Sequence, residues 1–178
     1  MNEPTDHRRA CDHDEDGPGD ITIRSLESAD LPALVALCAE HAAYERIPFS
    51  GHGMAARLEA MCLGTRPRLN VRIAACGDAP VGYASWSMEA STLSAALYAH
   101  MDCLFVREAW RGRNIGRKIL DRVIDDARDA GATRLEWQTP DWNVDAIRFY
   151  RRAGGQGQPK ARFHLSLDDD TGCADAPA

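Results

Sequence analysis

Arg107, Arg111, Arg113, Arg117 and Lys118 crowd one short stretch of a chain that is acidic overall. Leu104, Phe105 and Val106 read as the end of a buried strand. Arg111-Gly112-Arg113-Asn114-Ile115-Gly116-Arg117 reads as a tight turn opening a helix. Glycine lets backbone approach a bound group closely. The first turn of a helix adds free N–H donors at the positive end of its dipole. Such a junction is built to hold an anion, and a diphosphate fits best. No Gly-Lys-Ser/Thr closes the turn and no Gly-x-Gly-x-x-Gly is present, which excludes the usual nucleotide-binding loops.

A second group of candidates runs from Asp141 to Gly155, with Asn143 at a helix start and Tyr150 inside the helix. The commonest role for a tyrosine there is a core ring with its hydroxyl at the rim. Tyr44, Glu45, Glu136 and Glu89 are carboxylates and a phenol able to line a mouth that receives a cation, although surface charges are usually only solvated.

The elements that must position these residues follow from periodicity. Ile21 and Ile23 begin a short strand. Asp30 is placed to cap a helix with Pro32 in its first turn, buried through Leu31, Leu34, Val35 and Cys38. A shorter helix covers about 54–61. Leu69, Val71, Ile73 and Ala75 alternate as a strand, Gly77-Asp78-Ala79-Pro80 turns the chain, and 81–88 returns. Residues 96–106 form a long apolar strand of central type.

The helix from about 114 to 130 buries Ile115, Ile119, Leu120, Val123, Ile124 and Ala127 and ends at Gly131. Leu135 and Trp137 mark a strand, 146–152 a short helix stopped by Gly154-Gly155, and 163–167 a closing strand. The pattern is α+β, with one strand–helix–strand unit at its centre. It predicts one folded domain over 20–167 between acidic, disordered tails at 1–19 and 168–178. His7, Cys11 and His13 lie in the first tail, a poor frame for a metal site; no metal is expected.

Arg111-Gly112-Arg113-Asn114-Ile115-Gly116, taken with the Asn143–Tyr150 segment, resembles the GNAT superfamily of acyl-coenzyme A-dependent N-acetyltransferases over about 21–167. That signature is Gln/Arg-x-x-Gly-x-Gly/Ala; Asn114 stands where its middle glycine would be, and asparagine tolerates left-handed backbone best after glycine. Ala43-Tyr44-Glu45, the 102–106 strand with Trp110-Arg111-Gly112, and Trp142-Asn143 with Ile147–Arg152 are most similar to the spermidine/spermine (diamine) and thialysine subgroup. The resemblance implies a mostly antiparallel twisted central sheet flanked by helices, acetyl-CoA as donor, and a homodimer. It implies that Leu104, Phe105 and Val106 pair with the pantetheine arm as an added strand would. By the same token Arg111, Gly112, Arg113, Asn114, Ile115, Gly116 and Arg117 would cradle the pyrophosphate. Asn143 and Ala146 would contact the distal pantetheine, and Tyr150 would face the sulfur.

The chemistry follows from the acceptor. A lysine-like amine with a pKa near 10.4 is protonated at pH 7, and baring its lone pair costs about 4–5 kcal/mol. On this reading Asp102 takes that proton directly or through water, and Tyr150 gives one to the departing thiolate. Backbone N–H groups where the central strand parts from its neighbour would stabilise the developing oxyanion. Asp102 corresponds to a glutamate in the diamine enzymes, and its shorter arm favours a water relay. Cys103 is turned by strand alternation to the face opposite Asp102, as a packing residue. Tyr44, Glu45, Asp102 and Glu136 are the acceptor-binding candidates. The diamine enzymes carry Asp-Pro-Trp where this chain has Thr92-Leu93-Ser94, and His100 replaces an aromatic residue. The expected acceptor is therefore a small-molecule amine: a mono- or diamine, an amino acid or an amine-bearing metabolite. An enzyme acting on protein or peptide amines, or a non-catalytic acyl-CoA sensor, are the alternatives; the pairing of Asp102 with Tyr150 argues against a sensor.

The bulk properties agree. A chain of 178 residues with formal net charge −6 lacks the basic face nucleic-acid binding requires. No apolar run reaches the roughly 20 residues of a membrane span, and the N-terminal residues are polar and acidic, unlike a signal peptide. Six cysteines without a Cys-x-x-Cys pair read as small core residues in a reduced, cytoplasmic setting. Trp86 and Leu97 fit an interface as well as a core.

Overall fold

The computed structural model describes residues 20–165 and Leu167. Both acidic tails, with His7, Cys11 and His13, lie outside the described residues. The chain falls into two units, one ending at Pro140 and the other starting at Asp141.

The first unit carries β1 (Ile21–Ser25), α1 (Leu31–Glu45), α2 (Met54–Cys62), β2 (Asn70–Cys76), β3 (Ala79–Ser91), β4 (Ala96–Val106), α3 (Ile115–Asp129) and β5 (Leu135–Glu136). The strands form one sheet in the order β1-β2-β3-β4-β5; the first four pair antiparallel, and β5 runs parallel to β4. A parallel neighbour needs a crossover, and α3 supplies it.

Strand alternation sorts the core to two faces. Val71, Ile73, Ala75, Tyr83 and Phe105 pack with Leu31, Leu34, Leu37 and Leu58 of α1 and α2. Leu37, wholly buried, widens the stripe that the sequence predicted for α1. On the other face α3 contributes Ile115, Ile119, Leu120, Val123 and Ala127, all buried. Each of the larger ones is worth about 1.5–3 kcal/mol of apolar burial. Trp86 is a core residue, 4% exposed, whereas Leu97 is 48% exposed.

Asp30 departs from its expected capping role. A 3-10 turn (Ser28–Asp30) precedes α1, and no side chain caps the helix. The Asp30 carboxylate instead accepts from Arg24 at 2.7 Å and from the Glu27 N–H at 2.9 Å. Its pKa lies below the ordinary value of 3.8, chiefly through the Arg24 hydrogen bonds and against the opposing effect of burial. Its contribution to stability is complete above about pH 4 and is lost as the pH falls through the depressed pKa. Urea unfolding of Asp30→Asn against pH should therefore show a deficit at pH 6 that narrows as the pH falls through the depressed pKa. A deficit independent of pH would show that the Asp30 charge is not what matters.

The second unit contains α4 (Val144–Arg152), beginning two residues earlier than its apolar pattern suggests. The strand expected over 163–167 is absent at Phe163, His164 and Leu165: these have no strand partner among the described residues, and Phe163 and Leu165 are 89% and 84% exposed. Alternation of apolar residues gives strand propensity, but a strand also needs a partner edge.

Candidate active site

Strand β4 supplies the centre of the site. It meets β5 only at Ala99 and His100 and then runs on alone, so that from Met101 to Val106 its far edge has no strand neighbour among the described residues. Towards β3 the pairing is continuous but slips by one residue: Ser85 faces Cys103, Trp86 faces Met101, and Asp102 has no partner. Asp102 is thus the extra residue of a β-bulge, exposed in the widened strand.

The bulge overturns one expectation. Alternation would put Cys103 and Asp102 on opposite faces, yet the Cys103 thiol donates to the Asp102 carboxylate at 3.4 Å. Cys103 still packs against the core. Burial, then the Asp102 charge, push its pKa up to about 12, so it stays a protonated thiol.

After β4 the chain turns through Gly112 (φ 76°) and Asn114 (φ 61°) into α3. Both are left-handed, as expected for an asparagine in place of glycine. No side chain caps α3, and its first intrahelical bond is from the Lys118 N–H to the Asn114 carbonyl. The N–H groups of Ile115, Gly116 and Arg117 are left to an external acceptor. Replacing Asn114 by Ala should cost about 1–2 kcal/mol, whereas Gly should hold or raise the melting temperature. Equal stability of both variants would mean the left-handed turn is not required.

The five basic side chains do not act together. Arg107 is committed to structure: it grips Glu40 at 2.8 Å and donates to the Pro80 carbonyl. Arg117 pairs with Asp121 at 2.9 Å, and Arg113 lies over the Trp110 ring. Arg111 folds back along β4. Its Nε donates to the Val106 carbonyl at 3.0 Å, and its guanidinium sits 4.5 Å from the Tyr44 ring centroid and 5.7 Å from that of Phe105.

Arg111 thereby joins the turn to the last turn of α1, where the acceptor candidates Tyr44 and Glu45 lie. The residue the sequence reading missed is His41. Its Nε2 is 3.4 Å from the Glu45 carboxylate, its Nδ1 is 3.0 Å from the Tyr83 hydroxyl, and its ring stacks on Phe105. Spacing of four from Glu45 at a helix end was the available signal. Burial lowers the His41 pKa more than Glu45 and Asp102 raise it. Glu45, Asp102 and Arg111 are thus all near enough to act on the His41 charge, and Tyr44 joins the group through Arg111. Glu136 lies opposite His100 at the foot of the split, its carboxylate accepting from Arg134 at 2.6 Å. Glu89 takes a hydrogen bond from Ser87 at 2.8 Å, towards the far end of β3.

In the second unit Asn143 caps α4: its side-chain oxygen accepts from the Ala146 N–H at 3.2 Å. The two residues expected at the coenzyme thus bind each other. Tyr150 is half-buried, its ring 5.1 Å from Phe149 in an edge-on arrangement. An open groove of about 580 Å³ on this unit is lined by Val144, Ile147, Arg148, Arg151 and Arg152, and by none of the three expected site residues.

Comparison with known proteins bears on this geometry. Residues 34–155 match the acetyltransferase (GNAT) family. A thialysine N-epsilon-acetyltransferase of Bos taurus is 27% identical over 149 residues, covering 79% of this chain and 87% of that one. An L-ornithine N5-acetyltransferase of Arabidopsis thaliana is 39% identical over 57 residues, 32% of this chain and 25% of that one. Among solved structures, an aminoglycoside acetyltransferase from an uncultured soil metagenomic sample, in complex with sisomicin, superposes with a TM-score of 0.68 at 20% identity, over 83% of this chain and 97% of that one.

Proposed function

Since this chain belongs to the GNAT family of acetyltransferases, we propose that it moves an acetyl group from acetyl-CoA to a primary amine of a small molecule, directly, within a ternary complex. The observation that carries the reading is the free edge of β4 running into an uncapped helix start through two left-handed residues. An extended amide-bearing arm suits that edge, and a diphosphate suits the N–H groups and arginines beyond it. The named relatives that act on thialysine and ornithine favour a small, cationic acceptor.

The coenzyme supplies an activated acetyl thioester. Leu104, Phe105 and Val106 would bind its arm, Arg111, Gly112, Arg113, Asn114, Ile115, Gly116 and Arg117 its diphosphate, and Asn143 and Ala146 the distal pantetheine. Asp102 accepts the ammonium proton, directly or through water, and Tyr150 gives the leaving sulfur its proton. Tyr44, Glu45 and Glu136 receive the cation. The proposal extends to a cytoplasmic homodimer acting without nucleic-acid or membrane partners. Among the described residues no helix is long and apolar enough to cross a membrane.

The test is thiol release from acetyl-CoA against a panel of amines, amino acids and aminoglycosides. Asp102→Asn should lose about a hundredfold or more at pH 7. It should recover as the pH approaches the amine's own pKa, where the free base no longer needs an acceptor. Failure of the intact protein to take up the coenzyme, or to release thiol with any amine, would remove the proposal.

A further inference from the structure

His41 sits in a chain of hydrogen-bonding groups that crosses from the core to the acceptor mouth. Its side chain is only 13% exposed, held between Phe105 (centroids 5.0 Å apart, planes 20°) and the edge of Tyr83 (6.0 Å, 71°). The Tyr83 phenol is buried and its pKa strongly raised, chiefly by desolvation, so it remains a hydroxyl. That hydroxyl also meets the thiols of Cys38 and Cys103, and burial raises the pKa of each.

Only certain arrangements satisfy these groups. With the imidazole neutral, the phenol donates to Nδ1, leaving the ring hydrogen on Nε2 to point at the Glu45 carboxylate. With the imidazole protonated, Nδ1 donates to the phenol oxygen, the phenol donates to a thiol, and Nε2 still donates to Glu45. The Tyr83 hydroxyl reverses its role, and no buried polar atom is stranded in either state. A histidine in this position keeps its grip on Glu45 while its own charge changes. The charged and titratable groups acting on it are Glu45 on α1, Tyr83 on β3, Asp102 on β4 and Arg111 beyond β4, with Cys38 and Cys103 behind the Tyr83 hydroxyl.

We propose that His41 is a positioning residue for the cationic acceptor: it holds the Glu45 carboxylate in place at the end of α1, and its protonation weakens the attraction of that mouth for an ammonium group. The inference rests on the acetyl-transfer reading and adds the device that sets acceptor affinity. Asp102 handles the reacting proton; His41 acts through Glu45 on binding alone. Because burial holds the His41 pKa below 6.5, the imidazole adds no positive charge to the mouth at neutral pH. The mouth loses attraction as the pH falls through that lowered value.

The experiment uses the full chain with saturating acetyl-CoA, and L-ornithine and 1,4-diaminobutane as acceptor probes. His41→Leu should raise KM for both amines about five- to tenfold while kcat stays within about twofold, the pattern of lost binding and not lost chemistry. His41→Gln, whose amide still donates to Glu45, should recover most of that KM. It should also lack the rise in KM that the wild type shows as the pH falls through the lowered His41 pKa. Coenzyme affinity and melting temperature, measured on each variant, report folding separately. Wild-type KM and pH profile in both variants would overturn the role of His41 and leave the acetyltransferase reading intact. A fall in kcat without change in KM would overturn it too. Absence of coenzyme uptake or of thiol release by the wild type would overturn both.

Discussion

Tyr150→Phe should lower kcat by about two to three orders of magnitude, the usual worth of a positioned general acid, and leave the dissociation constant for coenzyme A within about twofold. The ring of Tyr150 is kept in that variant, and with it the edge-on contact to Phe149, so the fold of α4 is not at issue. The substitution removes the phenol hydroxyl, which on the proposed mechanism carries the proton for the leaving sulfur. The defect should shrink when the acetyl donor carries a leaving group that needs no proton, such as an acetyl ester of a strongly acidic thiophenol. Stopped-flow measurement of thiol release with both donors makes the comparison. Unchanged turnover with acetyl-CoA would take Tyr150 out of the mechanism.

Removing the Arg111 and Arg113 guanidinium groups together should weaken coenzyme A by a hundredfold or more. Two charge-assisted hydrogen bonds to a diphosphate are worth about 1.5–3 kcal/mol each. Both side chains are exposed, and their contacts are with Tyr44, Phe105 and Trp110 rings and the Val106 carbonyl. The double Ala variant should accordingly melt within a few degrees of the parent. Pantetheine, which lacks the diphosphate, separates the two roles open to Arg111. Its affinity should hold steady or rise, since the Val106 carbonyl is freed for the arm. Calorimetric titration with the two ligands decides the matter. An equal loss for both would mean that the arginines shape the strand edge and do not hold the anion.

Much of this architecture was visible in residue order, for reasons that differ by element. The 96–106 strand and the 115–129 helix carry long, unambiguous apolar patterns, and both form with nearly the expected limits. The left-handed turn at Asn114 was legible because few residue types accept that backbone. Asp30 misled because a capping residue and an ion-pair partner have the same composition signature; only the approach of Arg24 from β1 decides between them. His41 escaped because its partners, Tyr83 and Phe105, are distant in sequence and meet it only across the α1–sheet interface. The slip at Asp102 also has no local sequence signal, since it is a property of how β3 and β4 align. The Phe163–Leu167 pattern shows the reverse failure, a strand-like sequence whose residues 163–165 have no strand partner among the described residues.

The unpaired position in β4 has a consequence for how this protein tolerates change. Met101 and Ala99 reach the α3 side of the sheet, both almost fully buried, because Asp102 intervenes between them and Cys103. Exchange of Asp102 for another polar residue removes a charge and leaves the pleat as it was. Its excision rotates every side chain from Ala96 to Met101 by half a turn, emptying one core of Met101 and driving Tyr98 and His100 inward. The strand is therefore free to change the letter at this position but not to drop it, so its length is held by packing whatever residue stands there.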